Sequence, residues 1–260
     1  MKDLIIFDTE TTGNTSSDFL CQLAYKAVGE QEITIIYAKP PKAIPFEAMA
    51  THHITEKRVA NEPAFQENPQ YADVKALFEN PNTIAIAHNA PFDVAILKND
   101  KINVATMLDT CKVAAHTKKY HNAERNGLQY LRYFFDIDIP LSEALPHSAE
   151  GDVLVLEKIF IKLRDIIMQH ENKSEEEALA EMLRLSTAPL MIETITFGKY
   201  KGRKVLDIAV EDKRYLQWLY DEKLKNTEQD ETDWLRTLER ALGIPTPPTN
   251  LFEDAFIQYE

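Results

Sequence analysis

Residues 3–13 read DLIIFDTETTG, and this stretch decides the fold class. Its apolar run, Leu4 to Phe7, is short and uninterrupted, as in a strand that a sheet buries on both faces. The run turns polar at Asp8 and Glu10, two carboxylates at positions i and i+2. In an extended chain that spacing puts both on one face. Two carboxylates on one face make a seat for a hard cation such as magnesium or manganese. An isolated Asp-x-Glu is far more often two acids finishing a strand in water, so the rest of the chain has to decide.

On either side of the motif the chain alternates between strand and helix signals. LCQLAYKAV (20–28) and ITIIYAKP (33–40) read as two further strands, with Gly29 and Glu30 in the turn. Pro40, Pro41 and Pro45 then interrupt regular structure. TIAIA (83–87) is another strand, followed by a helix with Pro91 in its first turn. NGLQYLRYFF (126–135) reads as a helix. Between 152 and 170, Leu156, Ile159, Phe160, Leu163, Ile166 and Ile167 recur at helical spacing. The pattern predicts an α/β domain over residues 1–172 with a central sheet. Polar residues follow, and Ser174 with Glu177 forms a capping-box pattern that opens a helical linker over 173–193. A small module is expected over 194–244, its last helix near 232–242 ending at Gly243. Residues 245–260 read as a flexible tail. Its segment NLFEDAF (250–256) either docks in a partner's groove or packs on the body.

Bulk properties narrow the function classes. With 260 residues and 44% hydrophobic content the chain can bury a substantial core. It has no apolar stretch long enough to span a bilayer, and MKDLIIFDTE turns acidic too soon to be a signal peptide. Cys21 and Cys111 do not make a disulfide scaffold, which fits a reducing, cytoplasmic setting. The net charge of −13 opposes binding to nucleic acid. Bound divalent cations at an acidic site would reverse that field locally.

Two more motifs carry acids to the same kind of position. In AHNAPFDVAIL (87–97), Asp93 falls near the start of the helix that follows a strand, with Asn89 as a candidate cap. In HSAEGDVLVL (147–156), Asp152 falls at the first turn of the long helix, five residues after His147. Imidazole is the side chain suited to move protons near neutral pH. Each motif alone is weak. Together they set four acids at strand ends and helix starts, where one rim of a sheet gathers them. Phosphodiester cleavage uses that gathering, because two divalent ions about 4 Å apart activate water on one side and stabilise the leaving oxygen on the other.

These motifs resemble those of the DEDD exonucleases with a histidine in the third motif, the DnaQ-like group that includes proofreading subunits of bacterial DNA polymerase. The resemblance covers about residues 1–170. It implies a ribonuclease H-like fold, a mixed five-stranded sheet flanked by helices. It implies that Asp8, Glu10 and Asp152 hold the metal that activates water, that Asp8 bridges to a second metal, that Asp93 completes the site, and that His147 is the general base. The expected cofactor is Mg2+, two per site, with Mn2+ able to substitute. AMATHHITEKRV (48–59) is similar to the family's His-x-Ile-Thr segment, which implies that His52, Ile54 and Thr55 line the substrate cleft. Thr9 and Asn89 complete the expected substrate-binding set.

The activity implied is a metal-dependent 3′–5′ exodeoxyribonuclease releasing nucleoside 5′-monophosphates from single-stranded or frayed DNA 3′ ends, in repair or degradation. The alternatives are an RNA 3′ exonuclease, or a proofreading factor that meets a polymerase or clamp through the tail. TFGKYKGRKVLDIA (196–209 within the module) with YLQWLY (215–220) is similar to the C-terminal module of one stand-alone member of the group. Lys199, Lys201, Arg203 and Lys204 surround Gly198, Tyr200 and Gly202 there. They either contact phosphate and stack on a base or form a tight turn with a charged rim. Trp218, between Leu216 and Leu219, is read as module core.

Overall fold

The computed structural model describes residues 2–226 and 231–245. The tail segment at 250–256 lies outside the described residues. The chain divides into two compact units at Thr187/Ala188.

The first unit is built on five strands: β1 (Asp3–Thr11), β2 (Leu20–Ala27), β3 (Thr34–Tyr37), β4 (Thr83–Ala87) and β5 (Met107–Asp109). Their order is β3-β2-β1-β4-β5. β1 runs antiparallel to β2, and β2 to β3, whereas β1, β4 and β5 are parallel. Every residue of β4 is buried, as a parallel strand covered on both faces requires. Eight helices accompany the sheet among the described residues: α1 (Phe46–His52), α2 (Glu56–Val59), α3 (Tyr71–Glu79), α4 (Ala90–Asn99), α5 (Thr110–His121), α6 (Leu128–Phe134), α7 (Ala149–Glu171) and α8 (Glu175–Thr187). This is the mixed five-stranded sheet flanked by helices expected of a ribonuclease H-like fold.

Alternation along β1 sorts its side chains between two cores. Ile6 joins Leu156, Ile159, Phe160 and Leu163 of α7 on one face. Ile5 and Phe7 join Val74 and Phe78 of α3 and Ile96 and Leu97 of α4 on the other. Asp8 and Glu10 continue the Ile6 side, toward α7, and Thr9 continues the Phe7 side, toward α4. The strand therefore serves both halves of the acidic site.

Beneath α7, Lys26 Nζ meets Glu157 Oε2 at 2.8 Å, with both side chains almost fully buried. The other Glu157 oxygen accepts the Gly29 amide at 2.7 Å. Removing one partner of such a pair leaves an uncompensated buried charge. Lys26→Met is expected to cost about 3–5 kcal/mol in urea denaturation, and the double change Lys26→Met with Glu157→Met much less.

Residues 173–193, read as a linker, hold α8, and this helix is packed into the first unit. Ser174 and Glu177 cap it reciprocally: Ser174 N–H and Oγ donate to Glu177 Oε2 at 2.8 Å, and Glu177 N–H donates back to Ser174 Oγ at 3.3 Å. Ala178, Met182 and Leu185 then enter the α7-side core.

The second unit joins α9 (Val205–Glu211), α10 (Lys213–Lys225) and α11 (Thr232–Leu242) to a bridge between Thr194 and Lys204. Ile195, Val205, Ile208, Leu216, Leu219, Leu238 and Leu242 form its core. Trp218 does not belong to that core. Leu216 and Leu219 are turned inward, so the two residues between them on α10 face solvent, and Trp218 is 54% exposed.

Candidate active site

The three parallel strands end at one rim of the sheet, the edge where α/β folds place their sites. β1 brings Asp8 and Glu10 there. α7 begins at Ala149 and presents Asp152 in its first turn. One ligand atom from each of Asp8, Glu10 and Asp152 lies within 4.8 Å of the other two.

Asp152 is held by two neutral donors. The His147 amide donates to its Oδ2 at 3.0 Å, and Gln129 Nε2 of α6 donates to its Oδ1 at 2.6 Å. Asp93 is buried in the first turn of α4. Its Oδ1 accepts the Thr9 amide at 3.1 Å and the Thr9 hydroxyl at 2.5 Å. Asp93 is thus fastened to β1 between the two acids of the first motif.

The electrostatics are those of a cation site. Burial, and then repulsion from Asp93, Glu10 and Asp152, raises Asp8 well above the usual carboxylate range. Burial and the fields of Asp152 and Asp93 push Glu10 up to about 8. Burial drives Asp93 up to about 7 against the opposing Thr9 hydrogen bonds. Asp152 is also raised by burial, against the His147 and Gln129 contacts. For Asp8 and Glu10 burial and neighbours act in the same direction, so a divalent cation is the group that fits these residues.

The remaining expected residues have varied placements. His147 is exposed on the loop before α7, with a left-handed backbone (φ 59°) that aims its amide at Asp152. Thr9 is buried, and its amide and hydroxyl both donate to Asp93, so it organises the acidic cluster. His52 lines a cleft of about 290 Å³ together with Glu10, Thr11 and Thr12. Its ring is pinned: Nδ1 accepts the Ile54 amide at 3.0 Å, so Nε2 carries the proton and donates to the Thr11 carbonyl at 3.2 Å. Burial lowers its pKa. Ile54 does not line the cleft. It is buried against Cys21, Ile44 and Val59, because the turn after α1 points it inward. The Thr55 hydroxyl caps α2 by accepting the Arg58 amide at 3.3 Å. Asn89 is exposed in a left-handed conformation (φ 69°), its amide donating to Asp109 Oδ1 at 2.9 Å.

Sequence reasoning missed Gln129, Asp109 and Gly151. Gln129 acts across a long sequence separation, which no local pattern reveals. Asp109 caps α5 by accepting the Cys111 amide at 2.9 Å, a local signal, but its contact with the Asn89 amide is tertiary. Gly151 could have been noticed as a glycine directly before Asp152. A Cβ there would sit 2.6 Å from the Leu145 carbonyl oxygen and 2.8 Å from the Leu145 nitrogen. Those are backbone atoms of the loop that carries His147. Gly151→Ala is therefore expected to displace that loop, costing about 1–3 kcal/mol of stability and roughly tenfold or more in kcat. Thermal denaturation and steady-state kinetics on one preparation check both.

Comparison with known proteins agrees with this geometry. A model of the family described as Exonuclease matches residues 5–160, and one described as Exodeoxyribonuclease X-like C-terminal matches residues 195–223. Exodeoxyribonuclease 10 of Escherichia coli is 27% identical over 227 residues, 84% of this chain and 90% of that protein. A DNA polymerase III subunit epsilon-like protein of Rhodobacter capsulatus is 31% identical over 175 residues, 61% of this chain but only 23% of that protein. Among solved structures, exonuclease X in complex with 5′ overhanging duplex DNA superposes with a TM-score of 0.50 at 20% identity, covering 70% of this chain and 99% of that one. Exonuclease I superposes with a TM-score of 0.56 at 16% identity, covering 70% and 44%. At these identities the structural likenesses establish the fold. The family match spans more than half the chain, and with the acidic cluster it leads to one conclusion: this protein belongs to the Exonuclease family, in its DnaQ-like branch with an exodeoxyribonuclease X-like C-terminal module.

Proposed function

We propose that the chain is a divalent-metal-dependent 3′–5′ exonuclease that removes nucleoside 5′-monophosphates from DNA. The convergence of Asp8, Glu10 and Asp152 within 4.8 Å carries this reading. Asp8, Glu10 and Asp152, with Asp93 beside them, would hold the metal, and magnesium is the proposed ion. When bound, it supplies an activated water and stabilises charge on the scissile phosphate and the leaving 3′-oxygen.

The chain's own residues do the rest. Thr9 fixes Asp93, while Gln129 and the His147 amide fix Asp152, so the acids are held before any ligand arrives. His147, exposed on the loop whose amide holds Asp152, would take the proton from the attacking water. The cleft beside Glu10, walled by Thr11 and the pinned His52, receives the terminal nucleotide.

DNA is preferred over RNA because Exodeoxyribonuclease 10, matched along 90% of its length, is named for that substrate. Because the match to Exodeoxyribonuclease 10 runs through both units of the chain, we favour a stand-alone enzyme of repair or degradation over a polymerase-bound subunit, with the cytoplasm as its proposed location. No described helix is long and apolar enough to cross a membrane. A time course on a 5′-labelled single-stranded DNA and its RNA twin, with magnesium and with EDTA, tests the reading. The expected result is a metal-dependent ladder shortening from the 3′ end, faster on DNA. A faster RNA ladder would make the enzyme an exoribonuclease, and no ladder on either strand would remove the nuclease reading.

A further inference from the structure

We propose that the second unit carries a surface for single-stranded DNA in which the exposed Trp218 ring takes a base, Tyr215 and Tyr200 hold that ring from behind, and Arg214, on the same helix face, and Lys201, next in sequence to Tyr200, supply the cations. The choice of DNA rests on the function proposed above, but the surface itself rests on three observations.

The first is the exposure of Trp218. It is 54% exposed, although the flanking Leu216 and Leu219 are 0% and 3% exposed. A small module with few core residues packs Trp234 against its core but leaves its other tryptophan more than half exposed. A large aromatic ring presented in this way is a contact surface for a partner.

The second is that the ring is part of a strip. Trp218 lies 5.6 Å from Tyr215, which lies 4.8 Å from Tyr200, centroid to centroid. The strip is fixed in place. The Tyr200 hydroxyl donates to Asp212 at 2.8 Å, and Lys199 pairs with the same carboxylate at 3.0 Å while sitting over both tyrosine rings. A pre-ordered aromatic strip costs little entropy to engage.

The third is charge. Residues 194–225 hold eight Lys and Arg against five Asp and Glu, in a chain whose net charge is −13. Lys199, Arg203, Lys223 and Lys225 are paired with acids. Among the described residues, Lys201, Lys204, Lys213 and Arg214 form no ion pair. Arg214 precedes Trp218 by one turn of α10 and shares its face. Lys201 directly follows Tyr200. Aromatic rings interleaved with unpaired cations bind single strands, whose bases are free to stack while the cations meet the phosphates. Bases in a duplex have no such free faces.

The test uses the full chain in EDTA, so that binding is read without cleavage. Anisotropy of a labelled single-stranded oligonucleotide is measured at low salt for the wild type, Trp218→Ala, Trp218→Phe, and the pair Arg214→Glu with Lys201→Glu. Trp218→Ala is expected to weaken binding about tenfold, with Trp218→Phe restoring most of it. The charge reversal is expected to weaken it at least as much and to flatten the salt dependence. Hydrolysis of the p-nitrophenyl ester of thymidine 5′-monophosphate in magnesium, which needs only the acidic site, is expected to be unchanged in every variant. Unchanged oligonucleotide affinity across the variants would overturn the surface. Absence of ester hydrolysis in the wild type would instead count against the nuclease reading, with the anisotropy still deciding the surface.

Discussion

Asp8→Asn is expected to lower hydrolysis by ~10³-fold or more and, in EDTA near pH 8, to raise the melting temperature. The two effects have one cause. Asp8 is raised by its own burial and by Asp93, Glu10 and Asp152 together. Such a carboxylate is placed for a cation, and without one it costs the fold. Asparagine keeps the size and removes the charge. Metal affinity then drops, and the loss of transition-state stabilisation is about 4 kcal/mol for each ~10³-fold in rate. In the metal-free protein the same change relieves repulsion, so stability rises. A purely structural Asp8 would behave the other way, with stability falling on substitution. Calorimetry in EDTA alongside the ladder assay separates the two.

The second large effect is a dependence of stability on pH that metal reverses. Glu10 is raised from 4.5 to about 8 and Asp93 from 3.8 to about 7. Between the unfolded and folded values the folded protein binds more protons than the unfolded chain. The metal-free protein therefore loses stability as pH rises from about 4 to about 8, by up to ~1.4 kcal/mol per pH unit for each titrating group. Below about pH 4 this penalty is absent, because the carboxyls are protonated in both states. A divalent ion competes with those protons. The melting shift produced by magnesium is expected to be larger at pH 8 than at pH 6, with protons released on binding. Equal shifts at both values would show that these carboxylates do not titrate in the window.

What the sequence revealed and what it hid follow from how far each interaction reaches. The β1 alternation is local, so the shared face of Asp8 and Glu10 was legible from DLIIFDTETTG. The long α7 was legible from its apolar spacing. β5 was not, because a three-residue strand, Met107–Asp109, carries no period. The Ser174–Glu177 cap was legible, but the destination of α8 was not. Its entry into the first core depends on contacts with helices far away in sequence. Ile54 and Thr9 show the same limit at the site. Motif spacing places them near the chemistry, yet the direction of each side chain is set by tertiary packing, one into a core and one onto Asp93. Trp218 reads as core from its neighbours in sequence, and only the helix face shows that it points outward.

The most direct test of the central claim is a manganese titration at pH 8, read by electron paramagnetic resonance, on the wild type, Asp8→Asn and Asp152→Asn. The wild type is expected to bind about two ions, with at least one lost in each variant in step with activity. Manganese binding that is absent from the wild type, or identical in all three proteins, would contradict it.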